Sequence, residues 1–511
     1  MAQAKAMATS GMRDAGYRYV LLDEGWWRGA RDKNGEIVVD PHQWPAIQPG
    51  EKDGDIRNIV RYLHSLGLKA AIYTDAGPFG CGTEYPDIGP SLPNTGSLGH
   101  YDQDFLDFAR WGFDYVKVDW CGGEKLHLDP AFQYGQIARA IARAVAITHH
   151  PLYFSLCEWG RQSPWTWAPG LGGLPSDIWR SGGDIIAPIL LDATDAKHMS
   201  RVVTLKNVFA SFDNGIHPEA QHTGYYNDLD MMVIGMRGMS DVYDRVHMGL
   251  WAISSAPLIV GADLTRLNAA QIAVLTNREV LAVDQDALGL QAVMVSEPSP
   301  GLQVWAKPLA GHGRRAVLLL NRTGAAQPLT VHWASLGLDP AAATTVRDLW
   351  THKTLGASTA KDASTAKFEA TVPAQDALLL GVSGADAESA IYKPSSSNPL
   401  EQGNALGCSA ASEGDRFVSF AAIQAAANPT YLRIRYSNRG NAARMVEMRV
   451  NHQSTTLVQL PPGSAHGSAQ SAVSVEVNFD GNDNRNAIEF RIPCSASNLA
   501  ITSIEVSPWS K

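Results

Sequence analysis

The stretch Phe113-Asp114-Tyr115-Val116-Lys117-Val118-Asp119-Trp120-Cys121 is an apolar, β-branched run that ends in a carboxylate and is followed by two glycines. That pattern reads as a buried strand stopping at a solvent-facing rim, with Asp119 at its C-terminal end. A single carboxylate there equally serves to cap the next helix. Repetition favours chemistry. The same design recurs at Tyr19-Val20-Leu21-Leu22-Asp23-Glu24, Ala70-Ala71-Ile72-Tyr73-Thr74-Asp75, Leu152-Tyr153-Phe154-Ser155-Leu156-Cys157-Glu158, and Ile178-Trp179-Arg180 followed by Ser181-Gly182-Gly183-Asp184. Carboxylates gathered at one rim can act as nucleophile and as general acid or base. Metal ligation is the other use of so many acids, but no His-rich ligand spacing joins them, and no metal or other cofactor is expected.

Positioning such a set requires strands that all end on one face. Between the runs lie stretches of helical spacing, Ile56-Ile59-Val60-Leu63 and Phe105-Phe108-Ala109, so strand and helix alternate as in a parallel α/β sheet. Runs at Asp230-Met231-Met232-Val233-Ile234 and Pro257-Leu258-Ile259-Val260 extend the count to seven strands. A (β/α)8 TIM barrel gathers residues from several strand ends in this way. An open doubly wound sheet is the alternative, but no Gly-rich dinucleotide fingerprint follows any run. Met1 to Ala15 reads as a helix leading into the run at Tyr19, so the first strand of the barrel is missing.

At 511 residues the chain holds two or three domains. A net charge of -9 argues against a nucleic-acid partner. No run approaches the ~20 apolar residues of a membrane span. From residue 288 helical periodicity gives way to alternating runs such as Leu302-Gln303-Val304-Trp305-Ala306 and Ala316-Val317-Leu318-Leu319-Leu320, an antiparallel β-sandwich over 288–384. Residues 385–398, with Lys393-Pro394-Ser395-Ser396-Ser397, read as a linker, and 399–511 as a further β-sandwich with the alternation of Tyr431-Leu432-Arg433-Ile434-Arg435-Tyr436. The catalytic barrel is then 1–287. Cys81 and Cys121 lie just beyond strand ends at one face and suit a disulfide, Cys408 and Cys494 fall together in the last domain, and Cys157 sits in an apolar run as a buried thiol. Two bridges, with the acceptor triplet Asn321-Arg322-Thr323, fit a secreted or periplasmic protein whose signal peptide is not present in this chain.

The motifs Gly16-Tyr17-Arg18-Tyr19-Val20-Leu21-Leu22-Asp23, Lys69 to Gly77, Asp114 to Cys121, Cys157-Glu158-Trp159-Gly160, Trp179 to Ile185, Asn227-Asp228-Leu229-Asp230-Met231 and Leu250 to Leu258 resemble, in order and spacing, glycoside hydrolase family 27, the α-galactosidase family. The last domain more loosely resembles a family 35 carbohydrate-binding module. The resemblance implies a retaining exo-glycosidase, in which one carboxylate attacks and a second, protonatable one lies ~5 Å away across the scissile bond. Asp119 matches the nucleophile and Asp184 the acid/base. Lys117, two residues before Asp119 on the same side of the strand, helps keep that carboxylate ionised, and Arg180 matches a sugar-contacting arginine. Asp23, Glu24, Tyr73, Asp75, Cys121, Glu158 and Asp230 are the further candidates for binding the sugar. Glu401 is the one residue singled out for calcium in the last domain.

Two departures from the family pattern bear on function. The family's first strand, with its pocket-lining tryptophan, is absent, so a catalytically silent carbohydrate-binding protein stands as one alternative. Where α-galactosidases carry two adjacent aspartates, this chain has Asp23-Glu24. The extra methylene of Glu24 would fill the space of a C5 hydroxymethyl group. The expected substrate is therefore a terminal β-L-arabinopyranosyl group of a plant-type glycan or glycoside, with α-D-galactosyl as the alternative; one methylene is worth ~1–3 kcal/mol in such a choice.

Overall fold

Along the first part of the chain, apolar runs become parallel strands and amphipathic stretches become the helices between them. The computed structural model describes residues 1–84, 93–173, 177–186, 203–222, 224–358, 366–395, 415–425, 429–440, 442–453, 455–462, 471–479, 485–494, 496 and 498–506. They fall into two units, one of residues 1–215, 227–244 and 257–277, the other of 216–226, 245–256 and 278–511.

In the first unit, α1 (Ala2–Thr9) and α2 (Met12–Ala15) precede β1 (Tyr19–Leu22). The polar stretch after Asp23 forms a hairpin of β2 (Trp27–Arg31) and β3 (Ile37–Val39). Then come α3 (Arg57–Ser65), β4 (Lys69–Asp75), the short α4 (Cys81–Glu84), α5 (Tyr101–Trp111), β5 (Tyr115–Asp119), α6 (Pro130–Thr148), β6 (Tyr153–Leu156), β7 (Ile178–Arg180), α7 (Leu205–Asn214) and β8 (Tyr226–Asp228). Helix ends follow local chemistry. Asp129 caps α6 by accepting from Phe132 N, with Pro130 in the first turn, and Gly112 ends α5 in the left-handed region at φ 89°.

Among the described residues the parallel sheet has six strands in the order β1-β4-β5-β6-β7-β8 and is not closed into a full barrel. Its central strands are the buried ones, as crossover helices require; Ala70, Ala71 and Ile72 of β4 and Val116 and Val118 of β5 are each 0% exposed. The register aligns Tyr73 with Lys117 and Asp75 with Asp119, so the acids of neighbouring strands end at one level. Two expected strands are corrected. The sixth is Tyr226–Asp228, and the runs at 230–234 and 257–260 contribute only a parallel bridge between Met232 and Val260. Their apolar side chains signal burial of Met232, Val233 and Ile234, and burial alone does not make a ladder.

The second unit carries the antiparallel sheets. A six-stranded sheet runs through 293–383, and two four-stranded sheets through 390–506 pack around Phe420, Ile434, Val458, Phe490 and Ile504. The linker expectation is corrected over its described part: Ala390–Tyr392 pairs with Leu499–Val506, and Asp386 makes an ion pair of 2.7 Å with Arg315. The glycosylation triplet is also corrected. Asn321 is 0% exposed, and its side-chain amide donates to the carbonyls of Ala325, Val372 and Pro373, so the folded chain hides it. Cys408 and Glu401 lie outside the described residues.

Candidate active site

Asp119 closes β5 at 6% exposure. Its Oδ1 accepts from Trp120 N at 3.1 Å, and its Oδ2 lies 3.3 Å from the Tyr73 hydroxyl and 3.9 Å from Lys117 Nζ. Burial raises its pKa; Lys117 pulls it back, the Asp184 charge adds to the rise, and Arg180 also lowers it. Lys117 reaches further, to Asp23 Oδ2 at 3.2 Å, and lies over the Tyr73 ring at 5.1 Å from its centroid. One ammonium thus serves two carboxylates. Tyr73 is held from behind, since Trp27 stacks on its ring at 5.7 Å and Trp26 Nε1 donates to its carbonyl at 2.9 Å.

A second knot forms around Arg180, which is 3% exposed at the end of β7. Its guanidinium pairs with Asp184 Oδ1 at 3.1 Å and with Asp230 Oδ1 at 3.2 Å. Asp230 is fixed in turn by Ile185 N and Met231 N, each donating at 2.7 Å, and stands at φ 79°, a left-handed conformation that is unusual for a non-glycine residue. Asp184 itself is open, with its side chain 50% exposed.

The remaining candidates are scattered in depth. Glu24 turns its Oε1 to Gly82 N at 2.8 Å, which ties the end of β1 to the loop carrying α4. Glu158 is 1% exposed; its Oε2 accepts from Gln162 N at 2.8 Å, its Oε1 has no partner, and burial pushes its pKa up to about 7. Asp75 and Cys121 are each 0% exposed. Cys81 and Cys121 form the expected disulfide, and Cys157 is a buried free thiol. Asp75, Cys81 and Cys121 cluster closely enough to suggest a metal site, but both sulfurs are consumed in the disulfide and provide no thiolate.

Two supports escaped the sequence reading. Tyr134 of α6 donates to the carbonyls of Val118 and Cys157 at 3.2 and 2.8 Å, clamping β5 to β6 just below Asp119. The glycines beyond β4 permit backbone contact: a Cβ on Gly77 would lie 1.9 Å from Cys121 O, and one on Gly96 2.1 Å from Gly77 O. Only the glycine letters themselves signalled them.

Buried carboxylates and cations that converge at the strand ends of a parallel α/β sheet, in a chain that continues into antiparallel sandwiches, define a glycosidase acting on O-glycosyl bonds. Residues 1–286 match the family described as Alpha galactosidase A, and 299–382 match the Alpha galactosidase C-terminal beta sandwich domain. The chain belongs to this family, glycoside hydrolase family 27. It is 37% identical over 335 residues to Alpha-galactosidase A of Cellvibrio japonicus, covering 65% of this chain and 74% of that one. The crystal structure of α-galactosidase I from Mortierella vinacea is similar with a TM-score of 0.62 and 29% identity, covering 76% of this chain and 92% of that chain. A family 27 β-L-arabinopyranosidase from Geobacillus stearothermophilus shares the fold, with a TM-score of 0.56 and 19% identity over 74% of this chain and 91% of that chain.

Proposed function

We propose that this glycosidase is a retaining exo-α-D-galactosidase that removes terminal α-D-galactosyl groups from plant-type glycans or glycosides. Asp119 attacks the anomeric carbon, and Asp184 protonates the departing oxygen and then takes a proton from the water that releases the sugar. Lys117, Asp23, Arg180, Asp230 and Glu158 are the groups proposed to hold the sugar hydroxyls. The observation that carries this reading is Asp119 at the end of β5 with Lys117 Nζ 3.9 Å away, while Arg180 holds Asp184 at the rim. The α-galactosidases of Cellvibrio japonicus and Mortierella vinacea support the choice of sugar.

This reverses the order of substrates expected from Glu24. The extra methylene extends its carboxylate to Gly82 N, so its length is used in tethering a loop. β-L-Arabinopyranosidase activity stays as the second reading on the strength of the glutamate itself. Hydrolysis of 4-nitrophenyl α-D-galactopyranoside and β-L-arabinopyranoside, compared as kcat/KM, tests both. A higher value on the galactoside is expected, a higher value on the arabinopyranoside would reverse the assignment, and no turnover of either would leave a carbohydrate-binding protein. The Cys81–Cys121 disulfide supports secretion or a periplasmic location. The family 35 likeness of residues 399–511 is proposed as a glycan-binding role, to be checked by affinity electrophoresis in arabinogalactan gels.

A further inference from the structure

Asp75 has no place in the chemistry described so far, yet it is 0% exposed beside the proposed nucleophile. Its Oδ1 lies 3.0 Å from the Tyr73 hydroxyl, its Oδ2 has no hydrogen-bond partner, and the Cys81 sulfur 3.5 Å from Oδ1 carries no hydrogen because it is in the disulfide. The same Tyr73 hydroxyl lies 3.3 Å from Asp119 Oδ2. Two carboxyl groups therefore share one hydroxyl, which has one proton to give. If both were ionised, Tyr73 could serve only one of them; Asp119 would keep Trp120 N in either case, whereas Asp75 would depend on Tyr73 alone. A proton on Asp75 Oδ1 resolves the count. It donates to the Tyr73 oxygen, Tyr73 donates to Asp119, and the unpartnered Oδ2 becomes a neutral carbonyl.

We propose that Asp75 is a positioning residue held as the neutral acid, the head of a one-way hydrogen-bond chain from Asp75 through Tyr73 to Asp119. This rests on the reading of Asp119 as nucleophile. The groups facing Asp75 are Tyr73 on its own strand, Asp119 and Lys117 on β5, Glu24 beyond β1, the Cys81 sulfur of α4 and the Tyr134 hydroxyl of α6. Burial favours the proton on Asp75 most and Asp119 and Glu24 add to it, while a hydrogen bond from Tyr73 and the charge of Lys117 oppose it.

An asparagine can imitate the neutral acid, because its amide N–H donates to Tyr73 as the carboxyl O–H does; it cannot imitate a carboxylate. In the full chain, Asp75→Asn should keep kcat within about threefold and move the alkaline limb of kcat/KM to higher pH. Asp75→Ala should lower kcat by roughly 10–100-fold with little change in KM, the worth of a lost hydrogen bond to a charged group. Tyr73→Phe should cost as much, and Asp75→Asn added to it should change nothing further. An Asp75→Asn variant as damaged as Asp75→Ala, or one with an unmoved alkaline limb, would overturn the chain. Mapping the residue labelled by a 2-deoxy-2-fluoro galactoside separates the two ideas. Label on Asp119 beside a damaged Asp75→Asn removes the hydrogen-bond chain alone, whereas label elsewhere removes the nucleophile assignment and the chain with it.

Discussion

Acids are buried in both units, with different company. At the strand ends of the first unit, Asp119 and Asp230 lie within 4 Å of Lys117 or Arg180 and accept from backbone N–H groups. In the last sheets, Glu476 is 1% exposed, with burial and the like charge of Glu219 pushing its pKa up to about 8 against a hydrogen bond from Asn478. Burial perturbs both sets. What separates a site from a stray buried acid is the converging cation and the fixed geometry, which together hold a carboxylate charged where chemistry needs it.

Removing the best-supported acid should have the largest effect. Asp119→Ala should lower kcat on the order of 10⁴-fold or more while leaving the melting temperature nearly unchanged, and added azide should partly restore turnover with inverted product stereochemistry. Near-normal activity would erase the contrast with Glu476. Next comes Asp184→Ala, which should slow alkyl glycosides by roughly 10²–10⁴-fold and activated aryl glycosides far less, since only poor leaving groups need the proton. Equal losses on both would take Asp184 out of the acid role.

Glu24→Asp sharpens the boundary between reacting and supporting acids. Loss of the bond to Gly82 N should lower kcat/KM for both aryl glycosides by about 10-fold with their ratio held. A swing of ~10–200-fold toward the galactoside would instead make Glu24 a specificity residue, as its length first implied. The smallest effect belongs to Glu476→Gln. With its pKa about 8 in the fold against 4.5 for the exposed group, the folded state keeps a proton that the unfolded chain releases, so stability falls as pH rises from 4.5 through 8. The glutamine variant should lose that slope and melt a few degrees higher at pH 8 in scanning calorimetry. An unchanged slope would place the penalty elsewhere.

Much of the framework was legible in single residues. Runs that end in Asp23, Asp75 and Asp119 mark β1, β4 and β5, because strands of a parallel sheet are mostly apolar and carry their acids at the ends, with Lys117 the charged exception inside β5. β8 was displaced because Asn227 and Asp228 are polar yet buried; Asn227 accepts from Trp179 Nε1 at 2.8 Å, a long-range partner that no local pattern announces. Depth was the other loss. Period-2 alternation correctly puts Tyr73 and Asp75 on one side of β4, but whether that side faces a sugar or the underside of a loop depends on Gly77 and Gly96 letting backbones touch. The paired strand at 390–392 was hidden among the small polar residues that surround it.

The disulfide beside Asp75 links this chemistry to where the protein is made. In an oxidising lumen the Cys81 sulfur, 3.2 Å from the Tyr73 hydroxyl, is bonded to Cys121 and can only accept. In a reducing cytosol it would gain a hydrogen and become a competing donor to the same two side chains. The redox poise of the compartment thereby sets how many protons surround the nucleophile's support, so material produced in a cytosol and material exported through an oxidising one would share a sequence and differ at the active site.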